Sequence, residues 1–194
     1  DGGRFLAREA ALAQARAMIA DGADLLDLGA ESTRPGAAPV PAEVEIDRLV
    51  PLIETLRAET DIPLSVDTMK PEVARAAMAA GAVIWNDVTA LRHAPGSAAA
   101  AAELGCGVVL MHMQGEPRTM QAEPRYDDVV GEVFDYFADR IARCRAAGIT
   151  DLAIDPGFGF GKTLAHNYAL LDGLSLFRSF GFPVMAGLSR KSMI

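Results

Sequence analysis

A chain of 194 residues with 51% hydrophobic and 23% charged residues is about the size of one globular domain. Its net charge of −8 leaves no basic stripe for a nucleic-acid backbone, although a few local cations could still hold a small anion. No apolar run nears the roughly 18 residues of a membrane span, and nothing reads as a signal peptide.

One unit recurs along the chain: a helical stretch ends at a glycine, and a short apolar strand follows. Gly22 precedes Leu25-Leu26-Asp27-Leu28, Gly81 precedes Val83-Ile84-Trp85, and Gly105 precedes Val108-Val109-Leu110. Gly148 precedes Leu152-Ala153-Ile154, and Gly181 precedes Val184-Met185-Ala186. A glycine just past a helix takes the left-handed conformation that caps the last carbonyls. A sixth strand, Pro63-Leu64-Ser65-Val66, follows a helix without that signal. Ile46, Leu49, Val50, Ile53 and Leu56 make one helical stripe, which Pro51 should kink. Val130, Val133, Phe134, Phe137 and Ile141 make another. Cys106, beside an apolar strand, and Cys144, in a helical pattern, read as reduced core thiols and suit a cytoplasmic protein.

The strands are short and apolar on both faces, as parallel strands covered on each side would be. Strictly alternating helices and strands give an α/β class. Nearly every strand ends in polar residues: Asp27, then Glu31 to Arg34; Asp67-Thr68; Asn86-Asp87; His112; Asp155; Ser189-Arg190-Lys191. An open sheet gathers such residues at one switch point, whereas a TIM (β/α)8 barrel spreads them over many strand ends. The expectation is a barrel fragment showing about six of the eight strands. Residues 1–194 would form a single domain truncated at both ends, with two sheet edges open and weak folding or turnover of this piece alone.

The run Asp155-Pro156-Gly157-Phe158-Gly159-Phe160-Gly161-Lys162 follows a strand but fits neither standard phosphate loop. A P-loop needs glycine at Pro156, and a dinucleotide fingerprint needs it at Lys162. The acid is then the residue to follow. Asp67, Asn86 and Asp155 end different strands and could bond a flat, nitrogen-rich heterocycle, since a carboxylate matches adjacent N–H and amino donors. The bland alternative is that Asp67 caps the helix beginning at Pro71; that reading is weaker for Asp155. Lys162 reads as a surface residue of a loop or helix start, and the glycines as a close approach to a ligand. Phe158 and Phe160 either pack a ring or anchor the loop. Met111-His112-Met113 reads as pocket wall and not as a metal site, because His93, His112 and His166 lack metal-ligand spacing.

Six ordered motifs carry a resemblance that spans the chain. They are Asp27 to Gly36, Ser65 to Thr68, Asn86 to Val88, Met111 to Met113, Asp155 to Lys162 and Ser189 to Ser192. Together they resemble the dihydropteroate synthases, with Ala30 where that family usually has glycine. The resemblance implies a cytoplasmic transferase of folate biosynthesis. It would condense 4-aminobenzoate with 6-hydroxymethyl-7,8-dihydropterin diphosphate, giving 7,8-dihydropteroate and diphosphate. Asp67, Asn86 and Asp155 would hold the pterin, Lys191 its carbonyl side, and Met111 and Phe160 the ring wall. Thr33, Arg34 and Pro35 would form a mobile loop near the aminobenzoate and diphosphate, with Ser189 close by. Asp67, Asp155 and Lys191 would carry the catalysis. Mg2+ would bind with the diphosphate through an asparagine that precedes Asp1 in the family, and the family's last strand, which also serves the diphosphate, lies beyond Ile194. Sulfonamides would compete, and a homodimer fits the resemblance. Two other readings share the pterin contacts: a pterin-dependent corrinoid methyltransferase domain and a non-catalytic pterin-binding paralogue. Thr33 to Gly36, the Phe-Gly-Phe-Gly-Lys run and Ser189-Arg190-Lys191 argue against the first.

Overall fold

A computed structural model describes residues 7–34, 37–116 and 119–189. Helices and strands alternate: α1 (Arg8–Ala20), β1 (Leu26–Gly29), α2 (Ala42–Glu59), β2 (Leu64–Asp67), α3 (Pro71–Ala80) and β3 (Ile84–Asp87). Then follow α4 (Ser97–Leu104), β4 (Gly107–Met111), α5 (Val129–Ala146), β5 (Leu152–Asp155) and α6 (Leu164–Asp172), which runs into a 3-10 segment, Gly173–Phe180. All five strands are parallel and lie side by side in chain order. An open doubly wound sheet reverses its strand order; an unreversed order with a helix at each crossover is the wall of a barrel.

The glycines expected past helix ends all take the left-handed conformation, Gly22, Gly81, Gly105, Gly148 and Gly181. The helix α2 is not broken by Pro51. The hydroxyl of Thr55, one turn on, donates to the Pro51 carbonyl at 2.8 Å. The expected strand at Val184 is reduced to a single bridge with Ile154. Its ladder comprises Ile154 N–H to the Pro183 carbonyl at 3.0 Å and Met185 N–H to the Ile154 carbonyl at 2.8 Å. Pro183 has no N–H to extend that ladder, and the chain turns at Leu188 N–H to Ala186 O, 3.0 Å.

Register divides the sheet into two unlike faces. Leu26, Leu64, Val66, Trp85, Val108, Leu110, Leu152 and Ile154 face the helices and are buried in the main core with Leu49, Ile53, Leu56, Val133 and Phe137. Trp85, fully buried, satisfies its indole N–H on the Thr68 carbonyl at 2.7 Å. The opposite face carries Asp27, Ser65, Asp67, Asn86, Met111 and Asp155. The strands are therefore not apolar on both sides, because the barrel-facing side reserves its upper positions for polar groups. Among the described residues, no helix is long and apolar enough to cross a membrane.

Candidate active site

Side chains two residues apart on a strand share a face, and paired residues on neighbouring strands share it too. Asp67 pairs with Asn86, Asn86 with Val109, and Met111 with Asp155. Four predicted site residues, Asp67, Asn86, Met111 and Asp155, thus stand on the barrel-facing side at or near the carboxyl ends of four strands. Asp27, absent from the sequence-level choice, joins them. The Asn86 amide reaches across β2 and donates to Asp27 Oδ2 at 2.9 Å.

The inner carboxylates are unlike ordinary surface acids. Asp67 Oδ1 is sheltered from solvent and has no hydrogen-bond partner. Burial, then the charges of Asp27, Asp87, Glu45 and Glu31, hold the Asp67 carboxyl well above the usual carboxylate range. Asp27 is exposed, unlike Asp67, yet the protein around it desolvates its carboxylate. That desolvation raises its carboxyl, and hydrogen bonds from Ser65 and Asn86 oppose the rise. One register step away, Asp87 points to the helix side and accepts from Thr89 N–H at 2.7 Å, Thr89 Oγ1 at 2.8 Å and Leu91 N–H at 2.9 Å.

Neither predicted acid caps a helix. The helix α3 begins after Lys70 with no side-chain cap, and α6 is capped reciprocally by Thr163 and His166. Asp155, 5% exposed, instead accepts the Gly157 N–H at 2.8 Å. The Gly187 segment passes beside its other oxygen: a Cβ on Gly187 would lie 3.9 Å from Asp155 Oδ2.

The glycine-rich run departs from the sequence reading in two ways. Its glycines accommodate the protein's own backbone, since a Cβ on Gly157 would sit 1.9 Å from the His112 carbonyl oxygen. Lys162 is buried, not on the surface, at 3% exposure. Its ammonium reaches His112 Nδ1 at 3.0 Å and the carbonyls of His112, Gly157 and Phe160 at 3.2, 3.0 and 2.9 Å. Burial, then the charges of Lys162 and Arg92, push the His112 imidazole down to about 2, so it is neutral. The alternation of left-handed glycines, which turns carbonyls inward, was the available signal for a cation inside the loop. Phe158 anchors the main core, whereas Phe160 packs against Val88, Met111, Met113 and Met120. Met113 reads from sequence as pocket wall; Met120 does not, because a loop methionine carries no positional signature.

The loop after β1 is tied at its base. Glu31 accepts the Val40 N–H at 3.1 Å and the Lys70 ammonium at 2.5 Å; Lys70 also pairs with fully buried Glu45. Thr33 and Arg34 line a cavity of about 530 Å³ that also takes in Asp27 and Asp67. Asn86, Met111 and Asp155 lie further along the sheet, outside that cavity. Ser189 is exposed. Pro35, Lys191 and the Asp1-Gly2-Gly3 segment fall outside the described residues. Among the described residues, no three acidic, histidine or cysteine side chains converge as a metal site requires.

The profile of the pterin binding enzyme family matches residues 1–194. The dihydropteroate synthase of Escherichia coli (strain K12) is 51% identical over 196 residues, covering 100% of this chain and 69% of that protein. The Yersinia pestis dihydropteroate synthase, solved with a sulfonamide drug, superimposes with a TM-score of 0.95 at 48% identity, over 100% of this chain and 70% of that one. The Xanthomonas albilineans dihydropteroate synthase, solved with 4-aminobenzoic acid, gives 0.91 at 53% identity, over 100% and 69%. A parallel barrel wall with acids gathered on its inner face, matched at this identity across its whole length, places the chain in the pterin binding enzyme family, among the transferases called dihydropteroate synthases.

Proposed function

We propose that the inner face holds the pterin of 6-hydroxymethyl-7,8-dihydropterin diphosphate while 4-aminobenzoate attacks its methylene carbon. The observation that carries this reading is the unpartnered, buried Oδ1 of Asp67, in register with Asn86 and on the same face as Asp155. An unsatisfied buried polar atom costs about 1–3 kcal/mol, which a ligand's N–H donors would recover on binding. The edge of a pterin offers adjacent N–H and amino donors, and a carboxylate takes both in parallel. Asn86, with one N–H given to Asp27, keeps its carbonyl and second N–H for the ring. Met111 and Phe160 wall the ring.

In the reaction the methylene C–O bond breaks and diphosphate leaves with the electron pair. The resulting cation is delocalised into the pterin. The carboxylate of Asp155, and that of Asp67 once the ring's N–H donors have replaced its proton, stabilise that charge more than the ground state. The arylamine nitrogen then forms the new C–N bond and sheds a proton. Positioning by Thr33, Arg34, Pro35 and Ser189 is enough for a nucleophile that needs no strong base. Lys191 takes the pterin carbonyl side. Magnesium, expected with the diphosphate, finds no set of three ligands among the described residues, and the steps above use the protein's own groups. Sulfonamides, as arylamine mimics, compete for the 4-aminobenzoate site. The same reading makes residues 1–194 one pterin-binding barrel domain of a cytoplasmic, homodimeric enzyme.

A diphosphate-release assay on the full-length protein, with Lys191→Ala and Asp155→Ala, tests these roles. Turnover lost in either variant with the fold retained supports them; turnover unchanged in both rejects them.

A further inference from the structure

The Asp155–Lys162 run encloses a cation. Lys162 has three N–H donors and no acceptor, and four acceptors surround it: His112 Nδ1 and the carbonyls of His112, Gly157 and Phe160. Two of those contacts lead to the inner face. Gly157 receives the ammonium on its carbonyl and gives its N–H to Asp155 Oδ1 at 2.8 Å. His112 receives it on its carbonyl and donates its own N–H to the Asp155 carbonyl at 2.9 Å. A third contact, on the Phe160 carbonyl, sets the side chain that packs against Met111.

We propose that Lys162 is a positioning residue of the pterin site, acting through Gly157 and His112 on Asp155 and through Phe160 on the ring wall. The proposal rests on the reading of the inner face as the pterin site. The clamp requires a neutral imidazole, because Nδ1 must accept from an ammonium; the ring proton then sits on Nε2. The groups around His112 agree with that state. Tyr136 from α5 meets its ring edge-on at 4.8 Å, and Tyr126, from the loop before α5, lies 6.1 Å away. Arg92, from the loop after β3, adds a second positive charge beside Lys162. Carbonyl dipoles solvate the ammonium, and the clamp's rigidity comes from closing the His112 segment and the glycine-rich loop on one point.

Substituting Lys162→Met in the full-length protein keeps the stem and removes the donors. Steady-state kinetics should show KM for the dihydropterin diphosphate raised by about tenfold or more, with KM for 4-aminobenzoate within about twofold of wild type. A purely structural lysine would move both constants alike or neither, and either outcome in a folded variant overturns the proposal. If the variant does not fold, nitrogen-15 NMR of wild-type His112 decides. A neutral ring bearing its proton on Nε2 at every pH between about 5 and 8 upholds the clamp, and a ring that titrates in that range overturns it. A wild-type protein that releases no diphosphate would instead reject the pterin reading itself, so the two failures are distinct.

Discussion

Asp67 and Asp87 sit one register step apart at the ends of neighbouring strands, yet the two faces of the sheet use them differently. On the helix side, Asp87 is fully buried and closes the β3–α4 turn through three hydrogen bonds. On the barrel side, Asp67 keeps an oxygen buried with no partner. A strand-end acid with its bonds made is structural, and one left short of a donor is poised for a ligand. The general lesson is that the face, not the residue type, separates the two roles.

The predictions test that contrast, taken from the largest effect down. Asp67→Asn should lower diphosphate release by on the order of 10²-fold or more, because an amide presents donors to donors and no charge to the forming cation. Steady-state turnover checks it, with circular dichroism confirming the fold. Gly157→Ala should be nearly as damaging for a different reason. Its Cβ would stand 1.9 Å from the His112 carbonyl, at a left-handed φ of 71°, and should cost about 3 kcal/mol or more in urea unfolding. Asp87→Ala should destabilise by about 2 kcal/mol, leaving two N–H groups and a hydroxyl without their acceptor, while pterin KM stays near wild type.

The smallest effect is one of pH. The Asp67 carboxyl is raised in the fold, so the folded state binds its proton more tightly than the unfolded chain does. Its contribution is therefore fully present below the ordinary carboxylate pKa and is lost as pH rises through the raised value. Asp67→Asn should accordingly gain stability over wild type toward neutral pH, and the gain should vanish in acid. Thermal melts across pH read this directly. The variant would be more stable and less active together, as expected of a site that stores unsatisfied polarity for its ligand.

Much of this contrast was legible before any coordinates. Strands ending in acids, helices ending in glycine and the absence of a linker pointed to the barrel wall, and Asp67, Asn86, Met111 and Asp155 fell on one face as a shared pocket requires. The sidedness of Asn86 and Asp87 was not legible, because adjacent residues alternate faces and only the register with β2 says which faces inward. Lys162 misled for a related reason. A lysine after a glycine-rich run looks solvated unless the loop is known to turn its Gly157 and Phe160 carbonyls toward it, with the His112 carbonyl meeting it from the segment after β4. Asp27 reads from sequence as a polar strand end and not as a site residue, because its part in the site depends on an amide reaching across an intervening strand. Pro183 explains the remaining miss, since a strand predicted from apolar residues alone takes no account of a missing ladder donor.

The most direct test is calorimetric titration of the dihydropterin diphosphate, without 4-aminobenzoate, into wild type, Asp67→Asn and Asp87→Asn. The account predicts that Asp67→Asn weakens binding by about thirtyfold or more, the loss of roughly 2 kcal/mol of charge-assisted bonding, while Asp87→Asn binds like wild type. Equal loss in both variants, or none in Asp67→Asn, would contradict it.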